Sequence, residues 1–157
     1  MNLITYPWLD ADIIRHSLRL NNSFRHWTGT ELMDTLLSPE TLAKQLFHAP
    51  FVLLSHGQEP DPIFNYGNQA GLDLWETHWS KFTHMPSHLS AEPCERNNRL
   101  QLLQQASHQG YQSHGQGIRI STTGRRFAIE DAEIWDILDE QGNKCGQAAK
   151  FSCWQYL

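Results

Sequence analysis

The sequence predicts an α/β (α+β) fold: a five-stranded antiparallel sheet with helices on one face and an N-terminal helical extension. Three observations carry this expectation. Residues 1–49 hold helical repeats and no strand signal. Two short apolar runs, 51–54 and 63–66, flank a proline turn as a hairpin. From Gly117 to Trp154, three apolar-rich runs are separated by two short loops, each with a glycine. Such spacing is that of an antiparallel meander.

Asp10 is a suitable N-cap for a first helix over about 11–27, and Gly29 supplies its stop. Ile13, Ile14, Ser17, Leu18, Asn21, Phe24 and Trp27 fall at helical spacing. Ser38-Pro39-Glu40-Thr41 starts a second helix with serine as cap and proline in the first turn, ending before Ala49-Pro50. Phe51-Val52-Leu53-Leu54 is a short buried strand, Glu59-Pro60-Asp61-Pro62 a stiff turn, and Ile63-Phe64-Asn65-Tyr66 the returning strand. Asn68 caps a helix holding Ala70, Leu72, Leu74 and Trp75; residues 77–91 are histidine-rich and irregular, with Trp79 and Phe82 as anchors. Glu92-Pro93 opens a helix whose stripe is Leu100, Leu103 and Ala106, and Gly110 closes it.

In the meander, Ile118 and Ile120 alternate with Arg119 and Ser121, the period of a strand with one covered face. Phe127, Ile129, Trp135 and Ile137 share one parity, so Phe127 and Trp135 are expected to point together toward Trp75 and Phe82. Glu130-Asp131 interrupts the apolar run and marks a bulge or bend. Ala149, Phe151 and Cys153 supply the third alternation.

The expected organisation is a helical extension, 1–49, and one compact unit, 50–157. A chain of 157 residues is long enough to bury a core without disulfides or metals. No apolar run approaches the roughly 20 residues that cross a bilayer, and the N-terminus lacks the basic start and apolar core of a leader, so the expected location is cytoplasmic without membrane contact. Net charge is −5 and the 12 Lys and Arg are scattered, which argues against holding nucleic acid. Cys145 and Cys153 are eight residues apart on one expected strand, roughly 27 Å at about 3.4 Å per residue, too far to bridge.

No catalytic motif stands out. His84 and His88 have the spacing of a helical metal pair, but Pro86 lies between them and only Glu92 is a nearby third ligand, so no metal site is expected. Glu130 and Asp131 point to opposite strand faces, which weakens any acid–base pairing among Glu130, Asp131 and Glu133. Arg119, Arg125 and Arg126 surround the Gly124 turn and could grip an anion, although a turn pairing with nearby acids is the simpler reading. Asp61, Asn65 and Asn68 are assigned to turns and caps. The candidate ligand pocket is the aromatic set Phe64, Trp75, Phe82, Phe127, Trp135 and Phe151, and its candidate ligand a small apolar or aromatic molecule.

Element order and local motifs together resemble PAS domains, and within that superfamily the MEKHLA-domain proteins. The resemblance rests on Ala49-Pro50-Phe51-Val52, Asp61-Pro62-Ile63-Phe64-Asn65-Tyr66, Pro86-Ser87, Ser90-Ala91-Glu92-Pro93, Gly124-Arg125-Arg126-Phe127 and Gly146-Gln147-Ala148-Ala149. It spans nearly the whole chain and is similar to stand-alone bacterial members; related domains end plant class III homeodomain–leucine-zipper proteins. His88 stands where arginine is expected, and Trp75 where phenylalanine is expected, a change that shrinks any cavity beneath the sheet. The resemblance implies a sensory or regulatory module, names no cofactor and supplies no catalytic residues. The competing class is an enzyme of unknown chemistry using the sheet cavity. With no output domain fused, a signal is expected to pass by contact with another protein or a second copy, the first helix (Ile13, Ile14, Leu18, Phe24, Trp27) being the candidate homodimer surface.

Overall fold

A computed structural model describes residues 6–34 and 36–157; the first five residues, on which the leader reading partly rests, and Thr35 lie outside it. The elements follow as α1 (Ala11–Thr28), α2 (Pro39–Phe47), β1 (Val52–His56), β2 (Phe64–Gly67), α3 (Gln69–Leu74), α4 (Trp79–Phe82), α5 (Arg96–Gln109), β3 (Tyr111–Ile120), β4 (Arg126–Leu138), β5 (Lys144–Phe151) and β6 (Cys153–Tyr156). The caps are those expected: the Asp10 side chain accepts from Asp12 N, that of Ser38 from Thr41 N and that of Asn68 from Gly71 N, while Gly29 closes α1 at φ 75°.

All strand pairs are antiparallel, in the order β2-β1-β5-β4-β3. A sixth strand is added to the expected five. β4 is long enough to serve two partners on one edge: Glu133 to Leu138 pair with β5, and Phe127 to Glu130 pair with β6. The expected third run therefore divides at Ser152. β3 begins at Tyr111, six residues before the expected start, because Tyr-Gln-Ser-His-Gly-Gln has no apolar alternation. An edge strand paired only to β4 tolerates such a sequence.

Both faces of the sheet are covered. On the inner face, α3, α4 and α5 close over Val52, Leu54, Phe64, Phe127, Ile129, Ala132 and Phe151. The N-terminal helices cover the outer face, where Leu20, Phe24, Leu42 and Leu46 meet Leu53, Tyr66, Trp135, Ile137 and Ala148. Ile13, Leu18 and Trp27, expected to meet a second copy, pack against this chain's own outer-face core, and Phe24 is buried in it. Trp27 Nε1 donates to Asp136 O at 2.9 Å, and its ring lies where a β-carbon on Gly110 would sit, 2.3 Å away. Gly110, at φ 84°, thus ends α5 and admits the α1 indole.

The break at Glu130-Asp131 changes the reading of β4. Asp131 has φ 53° and the opposed His114 φ 58°, their side chains meeting at 3.1 Å, and the β3–β4 register shifts there. One extra residue inverts the strand's alternation. Phe127 and Ile129 face inward before the bulge, Ala132 continues that face after it, and Trp135 and Ile137 face outward. The expectation that Phe127 and Trp135 share a face is corrected accordingly.

Two further stripes differ from expectation. On α5, Leu100 is exposed, and the stripe toward the sheet is Arg99, Leu102, Leu103 and Ala106, at i, i+3, i+4 and i+7. At the end of β3, Arg119 and the following Ser121 are buried while Ile118 and Ile120 are only half-buried. Arginine takes a core-facing position on both elements.

Candidate functional site

Between the inner sheet face and α3–α5 lies a cavity of about 60 Å³. Leu54, Phe64, Ile129, Ala132, Ile134 and Phe151 form its apolar wall, with Trp75, Leu102 and Leu103 on the helical side. Arg99, Arg119, His56, Gln116 and Gln147 are the polar lining. Of the six aromatic residues read as a pocket, Phe64, Trp75 and Phe151 line this cavity. Phe82 and Phe127 stand behind it, Phe82 stacked on Phe64 at 4.2 Å and Phe127 edge-on to Trp75 at 5.0 Å between centroids. Trp135 is absent from it, packed against Phe24 at 4.9 Å on the other face.

Of the polar lining, only Arg119 is among the sequence candidates, there grouped with Arg125 and Arg126. Arg119 is only 8% exposed, and its one hydrogen bond is from Nη1 to the carbonyl of Ile118 at 2.8 Å. Its guanidinium lies over Gly117: a β-carbon there would stand 2.5 Å from Nη1 and 3.0 Å from Cζ. Glycine at 117 thus makes the bed on which the planar group rests. Arg99 forms no hydrogen bond or ion pair with any described residue. Burial lowers both guanidinium pKa values to about 10, with Arg119 nearby lowering Arg99 further and Glu95 opposing the shift at Arg119. Both remain cations at neutral pH. His56 Nδ1 donates to Gly57 O at 2.9 Å, and burial lowers its pKa, so it adds no charge. Trp75 is 1% exposed and its Nε1–H has no partner. Gln147 Nε2 donates to the Leu103 carbonyl at 2.9 Å, tying β5 to α5 across the cavity.

The other sequence candidates separate. Arg125 lies over the Tyr156 ring at 3.4 Å, and Arg126 pairs with Glu92 at 2.5 Å, so the three turn arginines form no common site. His88 Nδ1 meets Asp61 Oδ1 at 2.9 Å, while His84 Nδ1 meets the Ser80 carbonyl at 2.7 Å. Among the described residues no three His, Cys, Asp or Glu converge as metal ligands. Glu133 accepts from the Tyr111 hydroxyl at 2.8 Å, Asp131 meets His114, and Glu130 is exposed. Asn68 does more than cap α3: Oδ1 accepts from Leu53 N and Gly71 N, and Nδ2 donates to the carbonyls of Leu46 and Phe51. No helix among the described residues is long and apolar enough to cross a membrane.

A half-buried histidine, His16, also meets the buried Ser55. His16 Nε2 lies 2.8 Å from Ser55 Oγ, whose proton goes to Asn65 Oδ1 at 2.5 Å. The imidazole must therefore donate to the hydroxyl, the reverse of a base activating a nucleophile. Burial, then Arg19, lowers the His16 pKa to about 4. This polar bridge joins α1 to β1 and β2.

Comparison with known proteins matches residues 14–156 to the MEKHLA domain family. The chain is 29% identical over 123 residues to the homeobox-leucine zipper protein HOX29 of Oryza sativa subsp. indica, covering 76% of this chain and 14% of that protein. It is 28% identical over 137 residues to the homeobox-leucine zipper protein REVOLUTA of Arabidopsis thaliana, covering 85% of this chain and 16% of that one. The chain thus spans about one-seventh of such relatives. Among solved structures, a PAS domain from Colwellia psychrerythraea superposes with TM-score 0.63 at 15% identity, covering 79% of this chain and 98% of that domain. A light-oxygen-voltage domain studied with a flavin analogue gives 0.58 at 16% identity, covering 74% and 84%. These structural likenesses establish a PAS-type fold.

Proposed function

The chain belongs to the MEKHLA-domain family, and from that premise we propose that it is a sensory or regulatory module whose input is a small molecule held between the sheet and α3–α5. The observation that carries this reading is the cavity itself. Interiors of folded domains are filled to crystal-like density, with few voids larger than a water molecule. Here a space of about 60 Å³ is kept open and is bordered by the unpartnered Trp75 Nε1–H and the unpaired Arg99. Occupancy would bear on three elements at once, since β5, α5 and the β3 edge all contribute to the wall. A change in their packing is the means by which a bound molecule alters the outer surface.

A flavin, the group named for one structural neighbour, does not fit the space. Sites for ligands of that size occupy about 300–1,000 Å³. Trp75, Phe64 and Phe151, all buried, border what space there is. The ligand class is therefore smaller.

A thermal-shift screen of small organic molecules tests the reading, with Ala132→Leu as the control in which an inner-face residue is enlarged into the cavity. Compounds that bind the native state raise the melting temperature by mass action. The expected result is a saturable rise in the native protein that is absent in Ala132→Leu. No stabilising compound, or equal shifts in both proteins, would overturn it.

A further inference from the structure

We propose that the cavity is a receptor for a small monocarboxylate with a short apolar tail, gripped at its head by Arg99 and Arg119. The proposal rests on the sensory-cavity reading and deepens it. Two arginines occupy core-facing positions on different elements, one on the apolar stripe of α5 and one on β3, and both border the same space. Burying a charge is costly unless it is paired, and two like charges near each other add to that cost. Arg99 has no anionic partner among the described residues, and Arg119 bonds only its neighbouring carbonyl. Glu95 acts on Arg119 from a distance and is not part of the lining.

Every formal charge on the cavity wall is positive, because His56 is held neutral and no carboxylate lines it. Trp75 adds an unpartnered N–H donor. An anion with two coplanar oxygens matches the guanidinium fork in geometry as well as sign. The rest of the wall is apolar, so the part of the ligand beyond the head must be hydrocarbon. Phosphate has no tail for Leu54, Ile129 and Phe151 to cover. Gly117 is part of the site, since any side chain there collides with the Arg119 guanidinium.

The test compares butyrate and valerate with butyramide and valeramide, which have similar shape and no charge, with inorganic phosphate and chloride at equal ionic strength as controls. Thermal unfolding is followed for the native protein and for Arg119→Met and Arg99→Met. The carboxylates are expected to raise the melting temperature of the native protein by about 3 °C or more near saturation, and the amides and salts to leave it unchanged. Both variants are expected to lose the response. Without ligand, Arg119→Met is expected to melt no lower than the native protein, because an unpaired buried cation has been replaced by a side chain of similar length. A marked loss of stability in that variant would assign Arg119 a structural role and overturn the proposal. Stabilisation by amides and carboxylates alike would overturn the carboxylate class and leave a neutral-ligand sensor standing. Stabilisation by phosphate alone would replace the class, and no stabilisation by any of them would overturn the proposal and count against the sensory cavity as well. Gly117→Ala, which displaces the guanidinium without removing its charge, is expected to weaken the carboxylate response at least several-fold; an unchanged response would remove Gly117 from the site.

Discussion

Phe127 and Trp135 lie on one strand at positions of the same parity, yet Phe127 meets Trp75 beneath the inner helices while Trp135 meets Phe24 on the opposite face. The bulge at Asp131 separates them. It gives β4 one surface for the inner helices and one for the N-terminal helices.

Trp135→Ala should therefore empty space in the outer core and cost about 3–5 kcal/mol in chemical denaturation. It should leave the response to small carboxylates unchanged, since Trp135 does not line the cavity. Loss of the response with a stable fold would place Trp135 in the inner site after all.

Asp131 pays the left-handed conformation at φ 53° without being glycine. Its contact with His114 is highly exposed on both sides and compensates little. Asp131→Gly is expected to be neutral or stabilising by up to about 1 kcal/mol. Asp131→Val, β-branched at the same φ, is expected to cost about 1–3 kcal/mol. Equal stabilities for the two variants would show that the bulge relaxes in solution.

The pH dependence should be dominated on the acid side by His16. Its folded pKa of about 4 lies below the ordinary 6.5, so between those values the unfolded chain binds the extra proton. Stability is then fully present above pH 6.5 and falls as pH drops toward 4, by about 3 kcal/mol from this group. His56, lowered by burial, acts in the same direction. His16→Asn should flatten the curve over that window; an unchanged slope would mean that His16 is solvated.

Asn68→Asp keeps an acceptor for Leu53 N and Gly71 N but turns the other oxygen toward the carbonyls of Leu46 and Phe51. Leaving buried groups unsatisfied costs about 1–3 kcal/mol each, so a loss of at least about 2 kcal/mol is expected at neutral pH. A cap role alone would give almost none.

The elements were legible where local chemistry decides them. Asp10, Ser38 and Asn68 each cap the helix that follows, and the antiparallel meander follows from the two glycine turns. What the chain conceals is set by non-local packing. The bulge was marked by Glu130-Asp131, but its effect on parity depends on φ at Asp131, which no side-chain pattern specifies. The start of β3 was hidden because its partner is β4 alone. Phe64, Trp75 and Phe151 were found because aromatic residues cluster beneath a curved sheet. Arg119 was legible only as one of three arginines around the Gly124 turn and Arg99 not at all, because only the tertiary fold brings an α5 stripe and a β3 face to one space. Arg99 at i relative to Leu102, Leu103 and Ala106 was the one local signal available.

The most direct test of the central claim is NMR observation of the arginine Nε–H groups during titration with butyrate, the two signals being assigned by Arg99→Met and Arg119→Met. If the cavity receives a carboxylate, the Arg99 and Arg119 resonances should shift together and saturate at one dissociation constant, while those of exposed Arg15 and Arg25 stay in place. Butyramide should move neither of the cavity arginines. Arg99 and Arg119 resonances that do not respond to butyrate, or that respond only as the exposed arginines do, would contradict it.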